Sequence, residues 1–411
     1  MGVIEKTENK KGYKKTKLGW IPEEWEVVRL KDIVVYSQSG LSRKLSNNDI
    51  GLPVIRSNNI KNNTIDFSEI KYWYRNDPQG ANTQNYVLQN NDILLNFINS
   101  LAQIGKCAIF INSLNRDTIF TTNIMRLKLN PTKITPYFYI LQTLNERYLY
   151  YIGSIAKPAV NQASFTSNDY KMYKISLPPL TEQDKIAEVL SCWDEGIEIL
   201  EKLLEKKQLF KKALMQRLFN EKNSWQLLRF DSIFKDYCKK NCPDERLLSA
   251  TQENGVIPRD MLSGKVMSPE GSLSGYKLID IGDFVISLRS FQGGIEYSNY
   301  RGILSPAYTV LKNIIEINKD FYRHFFKSYK FIEKYLFISV IGIRDGKQIS
   351  YSDLSSVKIP YPPIEEQQKI AEVLNNCDRE IKLLDKKLEI LKQQKKGLMQ
   401  KLLTGEIRVK I

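Results

Sequence analysis

Residues able to do chemistry are few in this chain and poorly arranged for catalysis. There is one histidine, His324, and five scattered cysteines, Cys107, Cys192, Cys238, Cys242 and Cys377. Only Cys238 and Cys242 lie close together, and no second pair completes the four ligands of a structural zinc site, so no metal is expected. His324 sits in a helical stretch among aromatic residues, a setting for packing more than for ligation. Ser305-Pro306-Ala307-Tyr308 approaches the Asn/Asp/Ser-Pro-Pro-aromatic signature of amino-directed methyl transfer but lacks its second proline. Phe291-Gln292-Gly293-Gly294 puts Ile295 where a methyl-donor loop would need another glycine. Gly342-Ile343-Arg344-Asp345-Gly346-Lys347-Gln348 lacks the spacing and the final Ser/Thr of a phosphate-binding loop. No catalytic constellation assembles, and the chain is expected to be non-catalytic and to hold no cofactor of its own.

What organises the chain instead is a duplication. Pro178-Pro179-Leu180-Thr181-Glu182-Gln183-Asp184-Lys185-Ile186-Ala187-Glu188-Val189-Leu190 returns 184 residues later as Pro362-Pro363-Ile364-Glu365-Glu366-Gln367-Gln368-Lys369-Ile370-Ala371-Glu372-Val373-Leu374. Each copy opens a long amphipathic stretch. Leu190, Trp193, Ile197, Leu200 and Leu204 in the first, and Leu374, Cys377, Ile381, Leu384, Leu388 and Leu391 in the second, follow alternating steps of three and four, the spacing of a coiled-coil seam. Acidic and amide residues in the first turn favour the positive end of the helix dipole, and Thr181 is the expected N-cap of the first copy. At 1.5 Å per residue such helices are rods of about 55 Å.

Between the rods lie two blocks of short apolar runs, such as 92–97, 107–111 and 283–288, punctuated by Asn, Gly and Asp. These read as strands with turns, and helical stretches follow late in each block, around 136–152 and 319–338, giving α+β modules. The matching phrases Asn91-Asp92-Ile93-Leu94 and Gly282-Asp283-Phe284-Val285, and the echo of Trp25-Glu26-Val27-Val28-Arg29-Leu30 in Trp225-Gln226-Leu227-Leu228-Arg229-Phe230, predict one fold used twice with different surfaces. The expected organisation is a tail 1–24, a module 25–178, a helix 179–222, a second module 223–362, and a helix with tail 363–411.

The 411 residues carry a formal charge of +15. Counting along the sequence puts +7 on block 26–178 and +4 on block 225–362, while the first rod is neutral. An excess concentrated on the blocks suits a polyanionic partner. No run approaches the roughly 18 apolar residues of a membrane span, and the Lys-rich N-terminus lacks the apolar core of a signal peptide, so a cytoplasmic protein with reduced thiols is expected.

These features carry a likeness. The duplicated Pro-Pro-Leu/Ile-x-Glu-Gln-x-Lys-Ile-Ala-Glu-Val-Leu helices, the opening Lys17-Leu18-Gly19-Trp20-Ile21-Pro22-Glu23-Glu24-Trp25 and the closing Leu402-Leu403-Thr404-Gly405-Glu406-Ile407-Arg408-Val409 resemble the DNA-specificity subunit of type I restriction-modification systems. The resemblance covers essentially the whole chain. It implies that each block is a target recognition domain reading one half of a bipartite, asymmetric site in double-stranded DNA. It further implies that the two helices pack antiparallel in a pseudo-twofold arrangement, set the gap between half-sites and dock two methylation subunits. Catalysis then lies with partners: methylation subunits using S-adenosylmethionine, and restriction subunits using ATP and Mg.

On that reading, side chains that match purine edges become candidates, since Arg, Asn and Gln can hydrogen-bond a base through two groups while Lys mostly meets phosphate. The first block offers Arg56, Asn58, Asn59, Gln103, Asn161 and Gln162. The second offers Arg289 and Gln292, and Arg344, Lys347 and Gln348, in loops whose glycines let the backbone approach a groove. Two rival readings remain from the residues alone: a self-sufficient DNA adenine methyltransferase, and a coiled-coil scaffold that binds no DNA.

Overall fold

The computed structural model describes residues 11–61, 63–160, 162–220, 225–262, 273–287, 290–336 and 349–410. The chain divides into two compact units, one of residues 1–198 with 389–411 and one of residues 199–388. Two long helices, Leu180–Leu218 and Ile364–Thr404, each contribute to both units.

In the first unit an antiparallel sheet runs in the order Cys107–Ile109, Ile93–Asn96, Ile124–Leu129, Val34–Ser39. The second unit repeats that order with Glu296–Tyr297, Phe284–Ile286, Thr309–Asn313 and Phe234–Tyr237. A two-stranded ribbon ties the edges of each module together, Glu26–Arg29 with Lys174–Leu177 and Gln226–Arg229 with Lys358–Tyr361. The shared turn phrase has a local cause. Asn91 and Gly282 both take positive φ, at 71° and 88°. The following aspartates close the turn, Asp92 Oδ2 accepting from Gln89 N and Asp283 Oδ2 from Asp280 N, each at 2.9 Å. Both carboxylates are buried, and desolvation raises their pKa.

The repeated Glu-Gln pair at each helix start is a clasp. Trp25 Nε1 donates to Glu182 Oε2 and Trp225 Nε1 to Glu366 Oε2, both at 2.9 Å. Gln183 Oε1 accepts from Thr135 N, and Gln367 Oε1 from Asn318 N. Thr135 and Asn318 are the N-caps of the matching helices Pro136–Thr143 and Lys319–Phe325. Each glutamine also donates to a proline carbonyl five residues back. One dipeptide therefore fixes the module's tryptophan, a neighbouring helix and the strand leading in. Thr181 is not the cap: the helix starts at Leu180, with the Pro179 carbonyl accepting from Gln183 N, so Thr181 falls inside the first turn.

Within each unit the long helices run antiparallel. In the second unit Lys207 pairs with Glu380 at 2.7 Å and Lys211 with Asp378, one number rising as the other falls. In the first unit Asp194 pairs with Lys395. Along the seam Leu190, Leu200, Leu374 and Leu388 are buried, while Trp193, Ile197, Leu204, Cys377, Ile381, Leu384 and Leu391 are half-buried.

Candidate nucleic-acid interface

In the first unit three segments converge on a polar cleft. Gly40 lies so near the 120–121 backbone that a Cβ there would come within 2.2 Å of the Phe120 carbonyl oxygen, so only glycine allows the approach. Leu41 N then donates to Phe120 O, and Thr121 N to Ile55 O. The result is a cleft of about 450 Å³ lined by Ser42, Arg43, Arg56, Ser57, Asn58, Thr122 and Asn123.

Arg56 and Asn58 line this cleft; Asn59 does not. Asn59 is buried, its Oδ1 accepting from Arg56 N and its Nδ2 donating to Asp66 O, so it builds the turn that leaves Asn58 exposed. Arg56 Nη2 donates to Glu69 O at 2.7 Å, and its Nε is buried without a hydrogen-bond partner. Arg43 is held more firmly. Its Nε and Nη2 both donate to Asp77 Oδ2, at 2.9 and 2.6 Å, and its Nη1 donates to Ser42 O at 2.7 Å. Asp77 also accepts from Trp73 Nε1, Gln79 N and Ala81 N. The guanidinium bond, reinforced by these backbone donors, lowers the Asp77 carboxyl to about 2.

The second unit has a cleft of about 530 Å³ after the matching strand, lined by Thr251, Gln252, Glu253, Asn254, Ser287 and Tyr308 among others. Gln252, Glu253 and Asn254 form an exposed hairpin tip between Leu248–Thr251 and Gly255–Pro258. Gly255 closes it at φ +66°, where a Cβ would meet the Tyr297 carbonyl oxygen at 2.6 Å. The tip follows its strand as Arg56-Ser57-Asn58 follows Leu52–Ile55, but with a glutamate in place of an arginine as its charged group.

The model of the type I restriction modification DNA specificity domain matches residues 22–207 and again 228–393. The chain belongs to this family. A Methanocaldococcus jannaschii protein named putative type I restriction enzyme MjaX specificity subunit is 32% identical over 435 aligned residues, covering all of both chains. A chain from a solved structure titled for complex assembly and conformational transition of the type I R-M system covers 94% of this chain and 99% of its own, with 14% identity and a TM-score of 0.61. The type I restriction-modification S subunit from M. genitalium covers 92% and 96%, with 16% identity and a TM-score of 0.52. The last two show the fold.

In this specificity chain the other expected reading residues are dispersed. Gln103 is exposed on the turn after Ile98–Asn99, and Gln162 is exposed on Gln162–Ser164, the strand paired with it. Neither lines the cleft. Gln292 falls within the short helix Ser290–Gly293, close in sequence to the cleft residue Ser287. Asn161, Arg289, Arg344, Lys347 and Gln348 lie outside the described residues. Sequence reasoning missed Arg43, Thr122, Asn123 and the 252–254 tip. Gly40, close before Arg43, was the available signal, because a glycine at a strand end marks close backbone approach.

The two partial methyl-transfer phrases have structural roles. Ser305–Tyr308 is a tight turn between strands, with Tyr308 N donating to Ser305 O. Gly293 ends the helix Ser290–Gly293, and Gly294 N donates back to Ser290 O. His324 is buried, with its Nε2 2.8 Å from Asn375 Oδ1. Burial lowers its pKa to about 4, against a partial opposing effect of the Asn375 bond.

Proposed function

We propose that this type I specificity chain is a non-catalytic DNA reader, its two modules each taking one half of a bipartite double-stranded target. The reading is carried by one observation: the clasp that mounts each module is repeated almost atom for atom, while the clefts the modules present differ in charge and residue type. A constant mount under a varied cleft is what two independent specificities need. The long helices set the half-site gap and carry two methylation subunits. Apolar residues left exposed on them, Ile199, Leu203 and Phe210 on the first and Leu383 and Ile390 on the second, support a helical docking partner. Restriction subunits join the same assembly, and S-adenosylmethionine, ATP and Mg belong to these partners. Among the described residues no helix is long and apolar enough to cross a membrane, which agrees with work on DNA in the cytoplasm.

Purified chain alone should transfer no labelled methyl group to DNA, whereas the chain with methylation subunits should protect a bipartite site. Methyl transfer by the chain alone would make it an enzyme. Absence of salt-dependent duplex binding by the assembled complex would reduce it to a scaffold.

A further inference from the structure

The arginine held in the first unit's cleft is built differently from one that meets phosphate. Phosphate contact gains affinity from net positive charge that displaces the counterions condensed on DNA. Arg43 is only 15% exposed, and its charge is matched by the fully buried carboxylate of Asp77. The pair is neutral overall and therefore a weak anchor for a polyanion. It is, however, a rigid one: Asp77 sits at the centre of bonds from Trp73, Gln79 and Ala81, so the guanidinium plane cannot swing without breaking a set of contacts.

A guanidinium has five N–H donors. Three are spent, Nε and Nη2 on Asp77 and Nη1 on Ser42 O, which leaves one on each terminal nitrogen. Two coplanar donors match the O6 and N7 acceptors of guanine, whereas adenine offers one acceptor beside a donor on the same edge. Asn58, Thr122 and Asn123 line the same recess and supply further polar groups for neighbouring base edges. We infer that Arg43, positioned by Asp77, reads a guanine in the half-site taken by the first module. This inference rests on the DNA-reading function proposed above and goes further by naming the residue and the base.

The test uses the complex of full chain and methylation subunits. Selection from random duplexes gives the wild-type motif, and exchange of block 26–178 assigns one half of it to the first module. That half should contain a required guanine. Replacing it by 7-deazaguanine, which lacks the N7 acceptor, should weaken binding about 10- to 100-fold. Arg43→Ala should relax the same position by a similar factor and abolish the effect of the 7-deaza base. Asp77→Asn, which frees the guanidinium while keeping side-chain size, should give a smaller loss at that guanine alone. A first-module half-site without guanine, tolerance of 7-deazaguanine by the wild-type complex, or an Arg43→Ala loss equal on cognate and random duplexes would each overturn the inference. The first two readouts use the wild-type chain and the block exchange, and so do not depend on Arg43→Ala folding. Failure of the wild-type complex to select any sequence would instead overturn the DNA-reading function.

Discussion

The two modules share a sheet order and a clasp, yet one solves the mounting problem with a covalent connection and the other with non-covalent contacts. In the second unit the long helix ending at Leu218 runs on through the chain to Trp225, and Met215 and Phe219 pack in the same core as that tryptophan. In the first unit the corresponding junction is made by the two ends of the chain. Met399, Leu402 and Leu403 pack with Ile21 and Trp25, Tyr13 donates its hydroxyl to Gly405 O, and Arg408 donates to Glu182 from Nε and Nη2. Gly405, at φ +73°, lets the tail turn against Pro22, where a Cβ would lie 2.4 Å from Cδ. Side-chain bonds thus do in one unit what a peptide connection does in the other. A duplicated module must keep the contacts that mount it; the order of the chain through those contacts is free to differ.

The largest expected effect is common to both units. Trp25→Ala and Trp225→Ala each remove a buried indole from a core, together with its hydrogen bond to a helix-start glutamate, costing about 3–5 kcal/mol. Hydrogen exchange resolved by unit should show each variant loosening its own module. Equal loosening of both modules by either variant would mean that the units do not have separate cores.

Acid should then separate the two. The only histidine, His324, lies in the second unit, facing Arg323, Lys211, Asp378 and Asn375. Its folded pKa, lowered to about 4, is below the unfolded value of about 6.5. The contribution is therefore intact above pH 6.5 and is lost as pH falls from there toward 4, on the order of 2 kcal/mol by pH 5. Protection factors, corrected for the intrinsic slowing of exchange in acid, should fall between pH 7 and pH 5 in the second unit and not in the first, and His324→Gln should flatten that response. Loosening of the first unit alone would contradict it.

Glu182→Gln should cost about 1–2 kcal/mol, because Arg408 then loses a charged acceptor, in addition to any weakening of the Trp25 bond. Thermal unfolding at low and high salt checks it, since part of the loss should vanish as screening rises. A smaller effect concerns the clefts. Glu253→Gln removes the negative charge from the second tip and should tighten binding to random duplexes a few-fold, with the salt dependence steepened by about one unit. Unchanged binding would place the tip away from DNA.

Much of this architecture was legible because it was written twice. The repeated Pro-Pro helix starts, the seam spacing and the two turn phrases needed only comparison of one stretch of sequence with another. The cleft was less legible because its parts are distant in sequence. Arg43 gains its meaning from Asp77, 34 residues on, and Gln183 from Thr135, 48 residues back. Asn59 had the right type for base contact but is spent inside a turn, while Asn58 beside it is exposed. Residue type alone cannot separate such neighbours; the direction of the backbone does.

The central claim is that two independently specific modules stand on one repeated mount. Sequencing the adenine methylation laid down by the complex, first with the wild-type chain and then with block 26–178 exchanged for that of another family member, tests it most directly. The account predicts a bipartite motif in which the exchange rewrites one half and leaves the other half and the gap unchanged. Alteration of both halves, or a single continuous motif, would contradict it.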